Sequence, residues 1–177
     1  MSLKDSSIIF LNEYLEDSSS SYVNNTLKLN NFIKDCLNTY KNNLRTNLFR
    51  GLRIDNPLKV NNILSSNKKL ISTSSNYLSC LQGSVFAGEQ FEKEYSYLYV
   101  VNLKATPLLT NHQITSNLKL KGYCSKSVID RNLAEFEYLI TEPLIEETKV
   151  IKIYTKEEAN TLADYAHLYK HEIIEKI

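Results

Sequence analysis

The segment Ala134-Glu135-Phe136-Glu137-Tyr138-Leu139-Ile140 places two carboxylates two residues apart in a run of large apolar side chains. A strand sends alternate side chains to opposite faces. A strand here therefore puts Glu135 and Glu137 on one face and Ala134, Phe136 and Tyr138 on the other. Like charges on a half-buried face repel each other and lose solvation. A Glu-x-Glu pair in that setting can stabilise a developing cation with one carboxylate and orient a nucleophile with the other. The plainer alternative, a solvated strand face, is weakened by the bulky apolar residues on both sides.

Two earlier segments carry residues of matching chemistry. Leu48-Phe49-Arg50-Gly51-Leu52-Arg53-Ile54 sets an arginine and a glycine in an apolar strand. A guanidinium grips phosphate through two parallel charged hydrogen bonds, and a glycine lets a ligand approach the backbone. Alone, Arg50 reads as a surface arginine, with Arg53 serving equally well. Ser72-Thr73-Ser74 follows the apolar Leu70 and Ile71. Its hydroxyls can tie strand ends together and orient a carboxylate, although such a turn is commonplace by itself.

Other reactive side chains take bland readings. Cys36, Cys80 and Cys124 are odd in number and widely spaced, which fits neither a disulfide framework nor a zinc site and points to a reducing compartment. His167 and His171 lie four apart on a C-terminal helix with no evident third ligand, so no metal is expected. Leu162, Tyr165, Ala166, Tyr169 and Ile173 form that helix's packing stripe. Four glycines without a G-x-G-x-x-G run exclude a Rossmann-type phosphate cradle.

Positioning these groups falls to a chain of 177 residues, enough for one domain over 1–177. Hydrophobic residues make up 42% and charged residues 23%, as in ordinary globular proteins. A net charge of +1 supplies no field for nucleic acid or an anionic membrane, and no stretch has the length of a membrane span. Ile8-Ile9-Phe10-Leu11 is too short for a signal-peptide core. A cytoplasmic monomer is expected. Abundant Asn, Ser and Lys read as compositional bias rather than mechanism.

Residues 1–45 read as mainly helical, with a polar break at Ser18–Ser21. Val23, Leu27, Phe32, Ile33, Cys36, Leu37 and Tyr40 recur at helical spacing. Strands are predicted at 48–54 and 69–74, with a short helix from Pro57 to about Ser66 between them. Tyr77–Gly88 is a helix or ordered loop, Tyr95–Leu103 a strand, and Pro107–Thr110 a short edge strand. His112–Leu120 is left undecided and Lys121–Asn132 is a loop. The carboxylate strand ends at Pro143, and Val150–Tyr154 is another strand. Thr155 and Glu158 form a capping box opening the last helix. The fold class is α+β.

The order of Phe49-Arg50-Gly51-Leu52, Ile71-Ser72-Thr73-Ser74 and Glu135-Phe136-Glu137 resembles the Arg–Ser–Glu class of mono-ADP-ribosyltransferases. Val85-Phe86-Ala87-Gly88 stands where that family often carries an aromatic. Leu139, Ile140, Pro143 and the strand around Val150 continue the pattern. The resemblance spans 46–154. Each motif is weak singly; their order is the specific part.

The resemblance implies a split two-sheet core around an NAD⁺ cleft, with NAD⁺ as co-substrate. It implies Glu137 beside the ribose cation and Glu135 facing the acceptor, Glu-x-Glu accompanying arginine modification. It further implies Arg50 on the pyrophosphate, the Gly51 backbone on the nicotinamide amide, and Ser72 orienting Glu137 or the ribose. Thr73 and Ser74 would brace the fold around the cofactor, and Phe86 (or its competitor Phe91) would stack on nicotinamide. Tyr123, in the loop ahead of Glu-x-Glu, would meet a target protein bearing the acceptor arginine. Such a partner fits phage-encoded transferases acting on host transcription or translation proteins. An NAD glycohydrolase, an effector toxin and a noncatalytic binding module are the alternatives.

Overall fold

Tyr97–Ala105, rich in tyrosine, valine and leucine, forms the strand β3 whose side chains are buried on both faces. It lies next to the centre of a five-stranded antiparallel sheet with β1 (Thr46–Ile54), β2 (Ile71–Ser74), β4 (Glu137–Ile140) and β5 (Ile145–Thr155), in the order β4-β2-β1-β3-β5. The helices are α1 (Asp5–Glu16), α2 (Thr26–Thr39), α3 (Tyr77–Gln90), α4 (Asn111–Lys121), α5 (Lys126–Glu135) and α6 (Lys156–Leu168). The computed structural model describes residues 1–16, 26–55, 70–90, 95–121 and 126–168, with side chains not described at 86–90, 121, 134 and 165–168. The α+β class is borne out. Among the described residues no helix is long and apolar enough to cross a membrane.

In place of two separate sheets there is one sheet that is nearly divided. β1 pairs with β3 from Thr46↔Ala105 to Ile54↔Tyr97, and β2 with β4 from Ile71↔Ile140 to Ser74↔Glu137. β1 and β2 are in register at Phe49↔Ser74 alone. A three-stranded wing and a two-stranded wing thus meet at one ladder pair. Both wings line a common core of Leu48, Ile71, Val101, Leu103, Ala105 and Ile140, to which strands alone contribute. A sheet that buries residues of both wings against each other must curve sharply at that junction.

The N-terminal helices belong to a second core. Ile8, Leu11 and Phe32 pack with Leu108, Ile114, Leu118, Leu70 and Leu139. The rings of Phe10 and Phe32 lie 4.9 Å apart. Leu139 is two residues from Glu137, so α1 and α2 are built against the strand that carries the carboxylate. The third core joins α3 and α6 through Leu81, Val85, Leu98, Ala159 and Ala163.

Several expectations are corrected. The buried face of α2 is Leu29, Phe32 and Cys36 with Asp35, while Leu27 and Leu37 are exposed. Asp35 is tolerated there because its carboxylate accepts the Lys4 N–H at 2.9 Å. Among the described side chains of α6, Ala159 and Ala163 are buried and Leu162 is exposed, while the rest of the expected stripe, at Tyr165, Ala166, Tyr169 and Ile173, lies outside the described side chains. Pro107–Thr110 forms no strand; Leu109 makes one isolated bridge to Leu139. The undecided segment is α4, opened by a second capping box. Thr110 N–H donates to Gln113 Oε1 at 2.9 Å and Gln113 N–H to Thr110 Oγ1 at 3.3 Å. Most of the expected 121–132 loop is helix α5. Ser18–Ser21, Val23, the Pro57–Ser66 helix, Cys124 and His171 lie outside the described residues.

The capping box at α6 forms as expected. Thr155 N–H donates to Glu158 Oε2 at 2.8 Å, and Glu158 N–H to Thr155 Oγ1 at 3.2 Å. Thr155→Ala removes the acceptor for one of the helix's first amides, so a loss of about 1 kcal/mol is expected in urea unfolding. An unchanged midpoint would show that the capping box adds nothing to the packing that holds α6.

Candidate active site

The nearly divided junction is where the three motifs meet. Arg50 of β1 spans the two wings, its Nη1 donating to the Ser72 carbonyl of β2 at 2.6 Å. Ser72 Oγ donates to Glu137 Oε1 at 2.5 Å, joining β2 to β4. Glu137 is buried, and its other oxygen, Oε2, accepts Asn132 Nδ2 at 3.1 Å. Arg50, Ser72 and Glu137 therefore form one continuous chain of polar contacts.

Burial pushes the Glu137 carboxyl above the usual carboxylate range. The hydrogen bonds from Ser72 and Asn132 and the positive charges of Arg131 and Arg50 pull the other way. The carboxyl sits in a low-dielectric pocket with both oxygens engaged by donors. Such a group needs little reorganisation when positive charge develops beside it.

Glu135 is not where strand alternation puts it. It ends α5, Phe136 takes a left-handed turn with φ 49°, and Glu137 opens β4. The chain passes from helix to strand through one residue, and the period of two is broken there. The two glutamates therefore share no strand face, and Phe136 is 37% exposed. The turn is tied to β2. Ser74 Oγ donates to the Glu135 carbonyl at 2.7 Å, and Ser75 N–H to the Phe136 carbonyl at 3.2 Å. Thr73 Oγ1 donates to the Tyr138 carbonyl at 3.0 Å. Thr73 and Ser74 thus brace the strand and turn that present Glu137 and Glu135.

Gly51 has a structural reason other than ligand approach. A Cβ at this position would lie 1.9 Å from Ser84 Oγ and 2.5 Å from Ser84 Cβ. The glycine lets α3 pack on β1, beside the edge-to-face pair of Phe49 and Tyr77 at 5.7 Å. Phe86 lies on α3, but the position of its ring, like Phe91 and Tyr123, is outside the described residues.

Sequence reasoning missed two site residues. Asn132 was assigned to a loop, yet it is fully inside the protein on α5. Tyr14 of α1 is buried near the same carboxylate. Its phenol is raised well above the ordinary tyrosine range, first by burial and then by the negative charge of Glu137, with Arg50 and hydrogen bonding to the Ser72 backbone opposing. The apolar spacing of Ile8, Leu11, Tyr14 and Leu15 was a signal that Tyr14 faces a core. Nothing in the sequence connected that face to Glu137. Comparisons with protein-family models, with curated proteins and with solved structures return no significant match, so the chemistry of this site is argued from its own geometry.

Proposed function

We propose that the chain is a mono-ADP-ribosyltransferase that uses NAD⁺ to modify an arginine of a target protein. The observation carrying this reading is the Arg50–Ser72–Glu137 chain, with Ser72 Oγ 2.5 Å from Glu137 Oε1. Three weak motifs, far apart in sequence, converge on one buried carboxylate at the seam between two sheet wings.

In this reading Glu137 acts beside the ribose. The bond between ribose C1 and the nicotinamide nitrogen breaks, its electron pair leaves with nicotinamide, and positive charge spreads over C1 and the ring oxygen. Glu137 stabilises that charge more than it stabilises neutral ground-state ribose, which is what lowers a barrier. The same kind of cation forms in glycoside hydrolysis. An acceptor guanidinium nitrogen then bonds to C1 and its proton passes to Glu135, whose carboxylate can take two guanidinium hydrogen bonds. Arg50 holds the pyrophosphate. A guanidinium has five donors, so its bond to the Ser72 carbonyl is compatible with that role. The Gly51 backbone meets the nicotinamide amide.

The test is incubation with NAD⁺ labelled in the adenylate moiety, a cell lysate, and parallel measurement of released nicotinamide. Wild-type protein transfers label to protein. Glu135→Ala is expected to lose at least about tenfold in protein labelling while still releasing nicotinamide, since it removes acceptor positioning but leaves Glu137. Nicotinamide release with no labelled protein in any lysate points to hydrolysis instead. No NAD⁺ turnover by the wild type overturns the proposal.

A further inference from the structure

Asn132 is 2% exposed, and every atom of its amide is used. Its Oδ1 accepts Thr115 Oγ1 at 3.0 Å and Asn111 Nδ2 at 3.2 Å, both from α4. Asn111 Nδ2 also reaches the Asn132 carbonyl at 2.9 Å. Asn111 Nδ2 can only donate, being held as an NH₂ by the Asn132 carbonyl, and the Thr115 hydroxyl can donate beside it, so that side is the oxygen. The nitrogen must then face Glu137 Oε2, where it donates at 3.1 Å. The amide orientation is thus set by the network itself. The network is anchored on a helix whose start is fixed by the Thr110–Gln113 box.

This has a consequence for the carboxylate. Ser72 holds Oε1 alone, and a carboxylate held at one oxygen can pivot about that contact. A second donor, on a different element, fixes its plane. We propose that Asn132 is the positioning residue for Glu137, with Thr115 and Asn111 setting its amide so that the carboxylate keeps one orientation toward the reacting centre. The role toward the reacting centre rests on the transferase reading; the clamp itself does not.

The groups facing Glu137 are Tyr14 from α1, Arg50 from β1, Ser72 from β2, and Arg131 and Asn132 from α5. Arg131 is itself tied to α1, its Nη2 donating to the Leu15 carbonyl. Loss of the Asn132 donor therefore removes the one hydrogen bond described to Oε2 and weakens stabilisation of the ionised carboxylate.

The experiment titrates glutamate carboxyls by ¹³C NMR in labelled protein, with Glu137→Gln identifying the resonance, alongside nicotinamide release from NAD⁺ across pH. Asn132→Ala is expected to raise the Glu137 midpoint by about one to two pH units, the range for a hydrogen bond to a charged group. Thr115→Val keeps the volume, leaves Asn111 as the one remaining donor to Asn132 Oδ1, and is expected to raise it by less. Thr115→Ser keeps the hydroxyl and restores the wild-type midpoint. The acid limb of nicotinamide release moves with the midpoint, and kcat on the plateau falls about tenfold with KM for NAD⁺ little changed. An unmoved midpoint in Asn132→Ala and Thr115→Val overturns the clamp. A moved midpoint with kcat unchanged overturns the positioning role. A moved midpoint in a protein that never turns over NAD⁺ leaves the clamp standing and sinks the transferase reading instead.

Discussion

If the chain is the proposed transferase, Glu137→Gln is expected to fold, to keep the same neighbours, and to release nicotinamide from NAD⁺ about a hundred to a thousand times more slowly than wild type. That loss is typical for removal of one preorganised electrostatic group. The substitution is nearly isosteric, and the pocket can satisfy it. Asn132 Nδ2 must go on donating, because its orientation is locked by Thr115 and Asn111. The glutamine oxygen therefore takes the Oε2 place and its NH₂ faces Ser72 Oγ. A hydroxyl can accept as readily as it donates, so Ser72 turns its proton elsewhere and no donor opposes a donor. What is lost is the negative charge. A variant retaining more than about a tenth of the wild-type rate would remove Glu137 from the mechanism, since no single-group role of this kind is worth so little.

The same pair of proteins gives a stability test with a definite sign. Burial raises the folded-state pKa of Glu137 above its unfolded value of about 4.3. Between those two values the native state binds more protons than the unfolded state, so stability falls as pH rises. Below the unfolded value both states are protonated and the penalty is absent. Glutamine does not titrate. The stability of Glu137→Gln relative to wild type should therefore grow from about pH 4 upward and level off once the folded carboxyl is ionised. In the proposed mechanism the rate requires that same ionised form, so the acid limb of nicotinamide release is expected above the ordinary carboxylate range. A relative stability that is flat with pH would mean that Glu137 is solvated after all.

How far the sequence foretold these features depends on the residue. Hydrophobic runs located β1 and β3, and the Thr155–Glu158 spacing located the start of α6, because each signal is local. Arg50, Ser72 and Glu137 were identified by their order and do converge. Glu135 was misplaced because strand alternation cannot foresee a one-residue helix-to-strand switch. The switch uses a phenylalanine at positive φ, where glycine or asparagine would have given warning.

The asparagines were misread for a deeper reason. Asn favours caps and turns, which hides its use inside helices such as α4 and α5. Asn117 is completely buried in α4, yet it donates to the Gln113 carbonyl and the Tyr40 hydroxyl and accepts from Leu3 N–H. Asn42 Nδ2 donates to the Pro107 and Leu108 carbonyls, and its amide exchanges bonds with Gln113. Tertiary hydrogen bonds of this sort outweigh a few tenths of a kcal/mol in helix propensity. What looked like compositional bias is in part the wiring of the helical layer that supports Glu137.

Gly51→Ala is expected to be the most damaging single methyl that can be added near the site. No unusual φ is involved, so the cost is purely steric. Ser84 Oγ, at 1.9 Å from the new Cβ, could rotate away. Ser84 Cβ, at 2.5 Å, cannot, because it is fixed to the backbone of α3. The helix must move off β1, against its packing with α6 through Leu81, Val85, Ala159 and Ala163 and against the Phe49–Tyr77 ring contact. Overpacking of this severity costs about 3 kcal/mol, which for a chain of this size lowers Tm by roughly 6–12 °C. Ser84→Ala leaves Cβ in place and should rescue nothing. Ser84→Gly removes both clashing atoms at a cost of about 1 kcal/mol for a glycine inside a helix. The double variant Gly51→Ala/Ser84→Gly should therefore be more stable than Gly51→Ala alone, a reversal only direct contact produces. Strict additivity of the two losses would mean that α3 does not rest on β1 at this point. Arg50 is the neighbouring residue, so activity recovered along with stability in the double variant would identify the α3–β1 contact as what holds the guanidinium against Ser72.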